Sequence, residues 1–278
     1  MRNNYKVCNI ITRKVLKKTI NIISIGSDPE VLLQDKTTGK FISAVDKIPG
    51  DKWNPYFVSK EGHAIQVDNV AAEVCIPPSL NPDKTFDDIQ FSLSKVEEHI
   101  SNLDLRVAIV PSAEFEEDQL QDWQAREFGC DPDYNAYTGK KNPKPNADTL
   151  LRVAGAHVHI GIDKPTKTKV VKFAQVLDLF LAVPGVIKDP DNRRRELYGK
   201  AGAIRFPKHG LEYRTLSNFW IKNRESTHWL YRNIFAAADY INNGNKIPKE
   251  DTEKIISCIN EGNQQLAQEL IDKYKIEV

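Results

Sequence analysis

Residues 155–162 read Gly-Ala-His-Val-His-Ile-Gly-Ile, a stretch in which two histidines alternate with apolar residues between glycines. Side chains along a strand point alternately to opposite faces, so the pattern predicts a strand with His157 and His159 on one face and Val158 and Ile160 in a core. Two imidazoles on one face suit a metal ion or a phosphate-bearing ligand. The alternative is a half-buried strand whose histidines are hydrogen-bonded within the protein, and the motif alone leaves it open.

The composition is that of an ordinary globular protein. With 278 residues, of which 40% are hydrophobic and 28% charged, the chain can bury a large core. A formal net charge of +1 argues against a general nucleic-acid or membrane partner, because such proteins concentrate positive charge. No uninterrupted apolar run reaches the ~20 residues that cross a bilayer. Four widely spaced cysteines, at positions 8, 75, 130 and 258, predict reduced thiols in a cytoplasmic protein.

Residues 1–20 form a basic segment that precedes the first acidic residue, Asp28. The segment lacks the uninterrupted apolar centre of a secretory signal. A basic arm could contact phosphate or a partner, but a solvated extension is the simpler interpretation. We therefore predict an extension over 1–20 and a single domain over 21–278.

An acidic pair marks the first predicted strand, residues 21–33. Asp28 and Glu30 share a face of this strand, with Pro29 between them. Proline cannot donate a hydrogen bond to a ladder, so we expect the strand to lie at a sheet edge or to be bulged at Pro29. Two carboxylates on one face repel each other unless a cation neutralises them, and oxygen ligands suit a hard ion such as magnesium.

A second acidic strand is predicted over residues 63–78, where polar and apolar residues alternate. In a regular strand Asp68 and Glu73 point to opposite faces, so both can reach one site only if a bulge intervenes. Glu73 is the residue that we place at the site.

Positive charge is concentrated around a further predicted strand, residues 210–214, which reads Gly-Leu-Glu-Tyr-Arg and contains Glu212. The basic residues of this region are Arg193, Arg194, Arg195, Lys200, Arg205, Lys208 and Arg214. Arginine binds phosphate through two parallel hydrogen bonds, so several arginines near a metal site indicate a polyphosphate ligand. A solvated, charged surface is the alternative.

The remaining segments predict loops and helices around these strands. Lys52 lies in a turn-rich loop, residues 48–55, where it either holds a phosphate or carboxylate or is simply solvated. Residues 112–150 are typical of a long insertion beside a site, and they supply Glu114 and Glu116 as candidate general bases. Apolar residues at helical spacing predict helices over 86–103, 167–181, 224–242 and 249–275, and the last two form a C-terminal pair over 224–275.

Together these segments resemble the phage-type COOH-NH2 ligases, within the carboxylate-amine ligase branch of the glutamine synthetase and glutamate-cysteine ligase superfamily. The resemblance spans about residues 22–220 and depends on the order of four motifs: Asp28-Pro-Glu30, the strand of Glu73, His157-Val-His159 and Glu212-Tyr-Arg214. It implies an α+β fold in which a curved antiparallel sheet, backed by helices, carries the active site on its concave face. The first acidic position departs from the family, because Asp28 replaces the usual glutamate and has a shorter reach.

The resemblance also implies roles for individual residues. Two or three Mg²⁺ ions, or Mn²⁺ in their place, would be held by Asp28, Glu30, Glu73, His157 and Glu212. ATP would be bound through Lys52, His159, Arg205 and Arg214. The transferring phosphoryl group would be neutralised by Arg214, together with Arg205 and either Arg194 or Arg195.

Such a site implies an ATP-dependent, amide-forming ligase that acts through an acyl phosphate and releases ADP and phosphate. Its partners would be a small-molecule or peptide carboxylate and an amine, with neither nucleic acid nor a membrane, in the cytoplasm of a phage-infected cell. Three alternatives stay open: a metal-dependent hydrolase, a phosphotransferase on the same site, and a phage binding protein that has lost turnover. The oligomeric state is also left open.

Overall fold

A computed structural model of the protein describes residues 19–126, 133–145 and 149–278, so nearly all of the predicted N-terminal extension lies outside the described residues. The strands are β1 (Ile22–Asp35), β2 (Phe41–Ile42), β3 (Tyr56–Phe57), β4 (Ala64–Asp68), β5 (Ala71–Cys75), β6 (Leu105–Ala108), β7 (Ser112–Glu114), β8 (Tyr134–Asn135), β9 (Leu151–Val153), β10 (Ala156–Ile162), β11 (Ala203–Arg205) and β12 (Gly210–Tyr213). The α-helices are α1 (Pro82–His99), α2 (Trp123–Arg126), α3 (Lys167–Leu177), α4 (Val183–Lys188), α5 (Arg194–Leu197), α6 (Arg224–Asn242), α7 (Lys249–Glu261) and α8 (Gln264–Tyr274).

Ten strands form one antiparallel sheet that is assembled on β1. Its main path runs β3-β4-β5-β1-β10-β12-β11-β8, and β2 and β6 also pair with β1. With 14 residues, β1 is long enough for β10 to pair with its first part while β5, β6 and β2 pair with its second part. A separate two-stranded sheet is formed by β7 and β9.

Pro29 does not lie where the sequence predicted. β1 runs through the middle of the sheet, and the irregularity in its pairing with β10 falls between Ile22 and Ser24. Pro29 is opposite Ala156 of β10, and the ladder with β5 starts only at the next residue, Glu30. The missing N–H of proline therefore falls just beyond the end of a ladder, where it removes no hydrogen bond.

The second acidic segment is a hairpin, so the prediction of one continuous strand is wrong. β4 and β5 are joined by a tight turn at Asn69, which adopts a left-handed conformation with φ of 57°. Asparagine tolerates this conformation better than most residues. Gln66 of β4 is opposite Glu73 of β5, and Asp68 shares the face of Gln66 because side chains alternate along a strand. The turn alone, without a bulge, places Asp68 and Glu73 on one face.

Helices pack against the face of the sheet that is opposite the histidines. Val158 and Ile160 of β10 are fully buried in one apolar core with Phe173 of α3 and Trp220. α1 and α3 pack against α6, and α4 packs against α7 and α8. The predicted α+β architecture, a large antiparallel sheet backed by helices, is therefore confirmed. Its assignment to the glutamine synthetase-like fold stays a prediction.

The helix predicted to end near Pro184 continues to Lys188. A π-helical segment, Asp178–Ala182, joins α3 to α4, and Pro184, whose ring nitrogen cannot donate a hydrogen bond, lies at this junction in the first turn of α4. In the described part of the chain, Lys167–Lys188 is the one helical stretch long and apolar enough to cross a membrane, and 78% of its apolar window is buried inside the protein.

The C-terminal region contains three helices, whereas the sequence predicted two. α7 ends at Gly262, which has a left-handed conformation with φ of 66°, and α8 starts after Asn263, whose side chain accepts a hydrogen bond from the Leu266 N–H (3.0 Å). Glycine adopts this conformation without strain. A side chain at position 262 would also collide with Asn192.

Candidate metal and anion site

The strand register places three of the predicted motifs side by side. β10 lies between β1 and β12, so Asp28 is directly opposite His157, and His159 is directly opposite Glu212. Paired residues on neighbouring strands have Cβ atoms about 5 Å apart. Side chains that are far apart in sequence therefore meet on one face of the sheet.

Asp28, His159 and Glu212 form the first cluster, in which one candidate ligand atom of each residue lies within 4.8 Å of the other two. Asp28 Oδ2 is 3.1 Å from His159 Nε2, and Asp28 Oδ1 is 3.3 Å from His157 Nδ1. Among the described residues, Asp28 Oδ1 and His159 Nε2 are buried and have no partner in hydrogen-bond geometry. Buried polar atoms are normally satisfied, so this donor set fits a bound cation.

The structure separates the positions of the two histidines. His159 completes the first cluster, whereas His157 is 6% exposed and lies between Asp28 and Arg214, whose Nη1 is 3.3 Å from His157 Nδ1. The resemblance implied His157 on the metal and His159 on ATP, and those roles stay predictions, while the geometry adds His159 as a candidate ligand. The reason is the register, because it is His159 that β12 pairs with Glu212.

The charges of this cluster depend on one another. Burial alone would raise the pKa of Asp28, but His157 and His159 hold it well below its usual range. Burial lowers the pKa of His157, and Arg214 lowers it further, whereas Asp28 outweighs burial and raises the pKa of His159. His157 is therefore neutral at pH 7, and His159 keeps a proton more readily until a cation displaces it.

Glu30, Asp68 and Glu73 form the second cluster, again with ligand atoms within 4.8 Å of one another. The Gly155 N–H donates to Glu30 Oε2 (2.6 Å), and Gln66 Nε2 donates to Glu73 Oε1 (3.0 Å). Burial and the neighbouring Asp68 raise the pKa of Glu30 to about 8. Carboxylates this close repel one another, and a divalent cation with oxygen ligands relieves the repulsion.

Glu30→Gln is expected to stabilise the metal-free protein at pH 8. The pKa of Glu30 is raised from 4.5 to about 8 on folding, so the stability that this group contributes is present below pH 4.5 and is lost as the pH rises toward 8. The variant should gain about 2 kcal/mol at pH 8, roughly 4 °C in Tm for a chain of this size, and nothing at pH 4. Melting curves in a chelator measure this difference.

The matched control for this variant is Glu97→Gln, an exposed position on α1. Addition of Mg²⁺ should raise the Tm of the wild type and of the control by more than that of Glu30→Gln, which keeps only the first cluster complete. A Glu30→Gln protein that melts below the wild type at pH 8 without metal would contradict the prediction.

Three buried arginines line a cavity of about 50 Å³ next to the second cluster, and Glu30 also lines it. Arg152, Arg194 and Arg214 are 2%, 4% and 5% exposed, respectively. Guanidinium groups bind carboxylate and phosphate through paired hydrogen bonds. A space of this size holds about the volume of one or two water molecules, so it fits the head of an anion rather than a nucleotide.

The backbone of β12 and its neighbours holds these arginines in place. Arg194 donates to the carbonyl of Thr215 (2.9 Å) and to the carbonyl of Arg214 (3.2 Å). Arg214 is bonded to Glu212, and its Nε is 3.6 Å from Asp133 Oδ2. Glu212 and Arg214 therefore connect the first cluster to the cavity that lies beside the second cluster.

Arg195 is not brought to the site. Its Nη1 donates to Asn192 Oδ1 (2.6 Å), and its charge interacts with the side of the protein that contains Asp189 and Cys258. Arg194 and Arg195 are neighbours on the short helix α5, so their side chains diverge. Of the two alternatives that the sequence left open, the structure places Arg194 at the cavity.

Arg205 lies at the other end of the site, in an open cleft of about 780 Å³. Its Nη1 is 3.2 Å from Glu212 Oε1. The cleft is also lined by Lys141, Lys167 and Lys208 and by two aromatic side chains, Tyr134 and Phe206, whose rings are in contact at a centroid distance of 5.5 Å. The cleft thus combines positive charge with aromatic surface next to the first cluster.

The remaining predicted residues lie at the edge of the site or away from it. Lys52 lines a separate pocket of about 180 Å³ together with Asp68. Glu116 forms an ion pair with Lys40 (3.1 Å), and Glu114 is exposed near Arg193. Neither glutamate is placed beside the two clusters, so the proposed general bases gain no support.

Sequence reasoning missed Arg152 and Asp133 and assigned no role to Asp68. A single arginine in the three-residue strand β9 produces no periodic signal, and Asp133 lies in a long irregular segment. Asp68 was detectable, because an Asp-Asn pair between two apolar runs is typical of a hairpin turn.

Behind β12, the π-helical segment places a buried carboxylate, Asp178, at the junction of three segments. Asp178 accepts hydrogen bonds from Tyr213 (2.6 Å), from the Gly202 N–H (2.7 Å) and from Tyr137 (2.9 Å). Burial raises its pKa to about 6. Asp178 therefore ties the strand of Glu212 to the segment that contains Tyr137.

Asp178→Asn is expected to destabilise the protein by about 3 kcal/mol, because an amide cannot accept the donors on both sides and leaves at least one of them buried and unpaired. Urea unfolding at pH 7.5 measures the change. Asp239→Asn, on the exposed side of α6, is the control and should stay within about 0.5 kcal/mol of the wild type. Equal midpoints for the two variants would show that the buried carboxylate is dispensable.

An antiparallel sheet with two carboxylate clusters on one face, and buried arginines beside them, provides groups that could hold divalent cations and an anionic ligand. Residues 152–274 match the family model described as "Phage phiEco32-like COOH.NH2 ligase-type 2", which confirms the resemblance to the phage-type COOH-NH2 ligases for this part of the chain. The matched segment contains His157, His159, Arg194, Glu212 and Arg214, while Asp28, Glu30 and Glu73 precede it. Comparison with curated protein sequences gave no match. The family name describes enzymes that join a carboxylate to an amine.

Proposed function

We propose that the protein is an ATP- and Mg²⁺-dependent ligase that forms an amide through an acyl phosphate and releases ADP and phosphate. The observation that carries the proposal is the arrangement of two acidic clusters, centred on Asp28 and Glu30, around the arginine-lined cavity. On this proposal the sheet is the glutamine synthetase-like catalytic sheet that the four motifs implied. The reaction would take place in the cytoplasm of a phage-infected cell.

The donor sets fit Mg²⁺ or Mn²⁺. Asp28, His159 and Glu212 would hold one ion, and Glu30, Asp68 and Glu73 another. Asp28 Oδ1 has no partner in hydrogen-bond geometry among the described residues, and the raised pKa of Glu30 shows that its ionised form lacks sufficient positive charge nearby. When bound, the ions would neutralise phosphate oxygens and polarise the group in transfer.

The open cleft is the proposed place for ATP. Its volume of about 780 Å³ accommodates a nucleotide, and Arg205, Lys167 and Lys208 supply charge for the triphosphate. Phe206 and Tyr134 supply aromatic surface for the base. Because Arg205 contacts Glu212 (3.2 Å), phosphates held in this cleft end at the first cluster.

The chemistry requires an activated carboxylate. A carboxylate resists attack by an amine because it is negatively charged and oxide is a poor leaving group. Transfer of the γ-phosphoryl group to a carboxylate oxygen breaks its bond to ADP and makes an acyl phosphate; the amine then attacks the carbonyl carbon, loses a proton and expels phosphate.

The arginines have a defined role in this sequence. Negative charge builds up on the leaving ADP oxygen in the first step, and in the second step on the carbonyl oxygen as the amine attacks and then on the departing phosphate. Arg194 and Arg214 are fixed by hydrogen bonds before substrate binds, so they stabilise this charge without reorganising. No side chain has to become covalently modified in this sequence of steps.

The direct test is product analysis. Purified protein with ATP, Mg²⁺ and pools of carboxylates and amines, including amino acids and peptidoglycan fragments, should release ADP and phosphate only when both kinds of substrate are present. Release of AMP and pyrophosphate would instead show that the carboxylate is activated as an adenylate and not as an acyl phosphate. ADP formation that requires a carboxylate or another acceptor, but no amine, would identify a phosphotransferase. Cleavage of a substrate in the absence of ATP would identify a hydrolase.

A further inference from the structure

Two tryptophans at the edge of the site are far more exposed than such residues usually are. Trp53 is 81% exposed and Trp123 is 70% exposed, whereas the other two tryptophans of the chain, Trp220 and Trp229, are each 1% exposed in the core. Indoles are large and mostly apolar, so their exposure in pairs is typical of a binding surface. Both line the same pocket of about 180 Å³ at the β4–β5 turn.

This pocket leads to the second cluster. Asp68 and Asn69 line both the pocket and the arginine-lined cavity, and Asp68 is also a member of the cluster with Glu30 and Glu73. A ligand held between the indoles therefore reaches the reacting region through Asp68.

The pocket and the basic cleft approach the site from opposite ends of the sheet. The pocket lies at β4, and the cleft lies at β11, β12 and β8. Four strand spacings separate β4 from β12 along the sheet, which is about 19 Å. A nucleotide in the cleft and a second substrate in the pocket can be bound together and meet over β1 and β10.

Local hydrogen bonds fix the backbone at both tryptophans before any ligand binds. Asp51 Oδ1 accepts hydrogen bonds from the Trp53 N–H (2.7 Å) and the Asn54 N–H (2.9 Å), which fixes the loop of Trp53. On the other side, Asn69 Nδ2 donates to the carbonyl of Ala125 (3.0 Å) in α2, the helix of Trp123. A fixed backbone at both positions reduces the entropy that is lost when a ligand binds.

The charge of the residues that line the pocket favours the amine substrate of a ligase over its carboxylate substrate. Asp51 and Asp68 outnumber the single lysine, Lys52, among the lining residues, so the pocket of the metal-free protein is net negative. One divalent ion would not reverse this sign, because it would be shared among the three carboxylates of the second cluster. A carboxylate would be repelled, whereas an ammonium group is attracted both by the carboxylates and by the faces of the indoles. The arginine-lined cavity, by contrast, attracts a carboxylate and repels an ammonium group.

We propose that the pocket between Trp53 and Trp123 is the subsite of the amine substrate. The substrate is a cationic primary amine with an apolar or cyclic body, which packs on the two indoles while its ammonium group lies at Asp51. Asp68, which would also hold the second ion, marks the end of the pocket that faces the cavity. This inference rests on the proposed ligase function and adds the chemical class of the amine and its direction of approach.

The two exposed tryptophans make the binding directly observable. Titration of the wild type with phenethylamine should change the tryptophan fluorescence saturably, and the isosteric carboxylate phenylpropionate should bind at least about tenfold more weakly. Trp53→Ala and Trp123→Ala should each weaken phenethylamine binding about tenfold. Phe57→Ala is the matched control, because Phe57 is 66% exposed on β3 but does not line the pocket, and it should bind as the wild type does.

Several outcomes would overturn the inference. These are the absence of a saturable change with phenethylamine, equal affinity for phenylpropionate, or unchanged binding in both tryptophan variants. The measurement needs no ATP, so its result is separate from that of product analysis. If the amine binds but no ADP forms, the subsite is supported and the proposed ligase activity is wrong. If ADP formation depends on an amine but the KM for the amine is unaltered in both tryptophan variants, the ligase activity is supported and the proposed subsite is wrong.

Discussion

Glu212→Gln is expected to reduce ADP formation by about 10³-fold while the protein stays folded. Glu212 connects every part of the site: it belongs to the first cluster with Asp28 and His159, and it contacts Arg205 and Arg214. Burial would raise its pKa, but Arg214 and His157 hold it below the usual range, so the side chain is charged at pH 7. An amide of the same shape keeps the packing and removes the negative charge that a cation needs.

Steady-state ADP release and a melting curve measured on the same preparation test this prediction. The matched control is Glu253→Gln on α7, whose side chain is 70% exposed, and it should keep wild-type turnover. Mg²⁺ should also stabilise Glu212→Gln less than the wild type. Turnover within tenfold of the wild type in a folded Glu212→Gln protein would exclude Glu212 from the reacting centre.

Arg214→Lys is expected to lower kcat about 10²-fold, with a smaller effect on the KM for ATP. Lysine keeps the positive charge beside Glu212 and Asp133 but has one ammonium group in place of the planar fork. The lost interactions are those with charge that develops during transfer, and Arg214 lies at the arginine-lined cavity rather than in the cleft proposed for ATP.

Arg195→Lys is the sharpest control for this variant, because the sequence alone could not separate the arginines of this basic region. Arg195 bonds Asn192 on the side of the C-terminal helices, so its replacement should leave kcat within about twofold. If both variants lose turnover equally, the basic region acts as a whole and the assignment of Arg214 fails. If Arg214→Lys changes the KM for ATP alone, the residue binds nucleotide and takes no part in transfer.

Strands in which polar and apolar residues alternate strictly were predictable from the sequence. When one face of a strand is buried, every second residue must be apolar. His157 and His159 on β10, and Glu212 on β12, follow from that rule, and their order in the chain carried the family resemblance. The helix-backed sheet follows from the same patterns. The sequence also located the two acidic residues of β1 on a common face.

What the sequence did not predict depends on single residues that redirect the chain. The turn at Asn69 and the break at Gly262 each divide a segment that has one continuous pattern. The contributions of Arg152 and Asp133 arise only after folding, because each is positioned by segments distant in sequence. Register, which periodicity leaves undetermined, decides that His159 rather than His157 meets Glu212.

β1 carries one member of each acidic cluster, Asp28 and Glu30, with a single residue between them. Same-face neighbours on a strand are separated by about 6.6 Å, a length set by covalent geometry and made stiffer here by the proline ring. The distance between the two proposed ion sites is thus set within three consecutive residues, whereas the other members of each cluster lie on other strands of the sheet, which are joined to β1 through hydrogen bonds. Any adjustment to a differently sized substrate would come from the hairpin or from β12, and a one-residue insertion at Pro29 would turn Asp28 and Glu30 to opposite faces and remove one of them from the site.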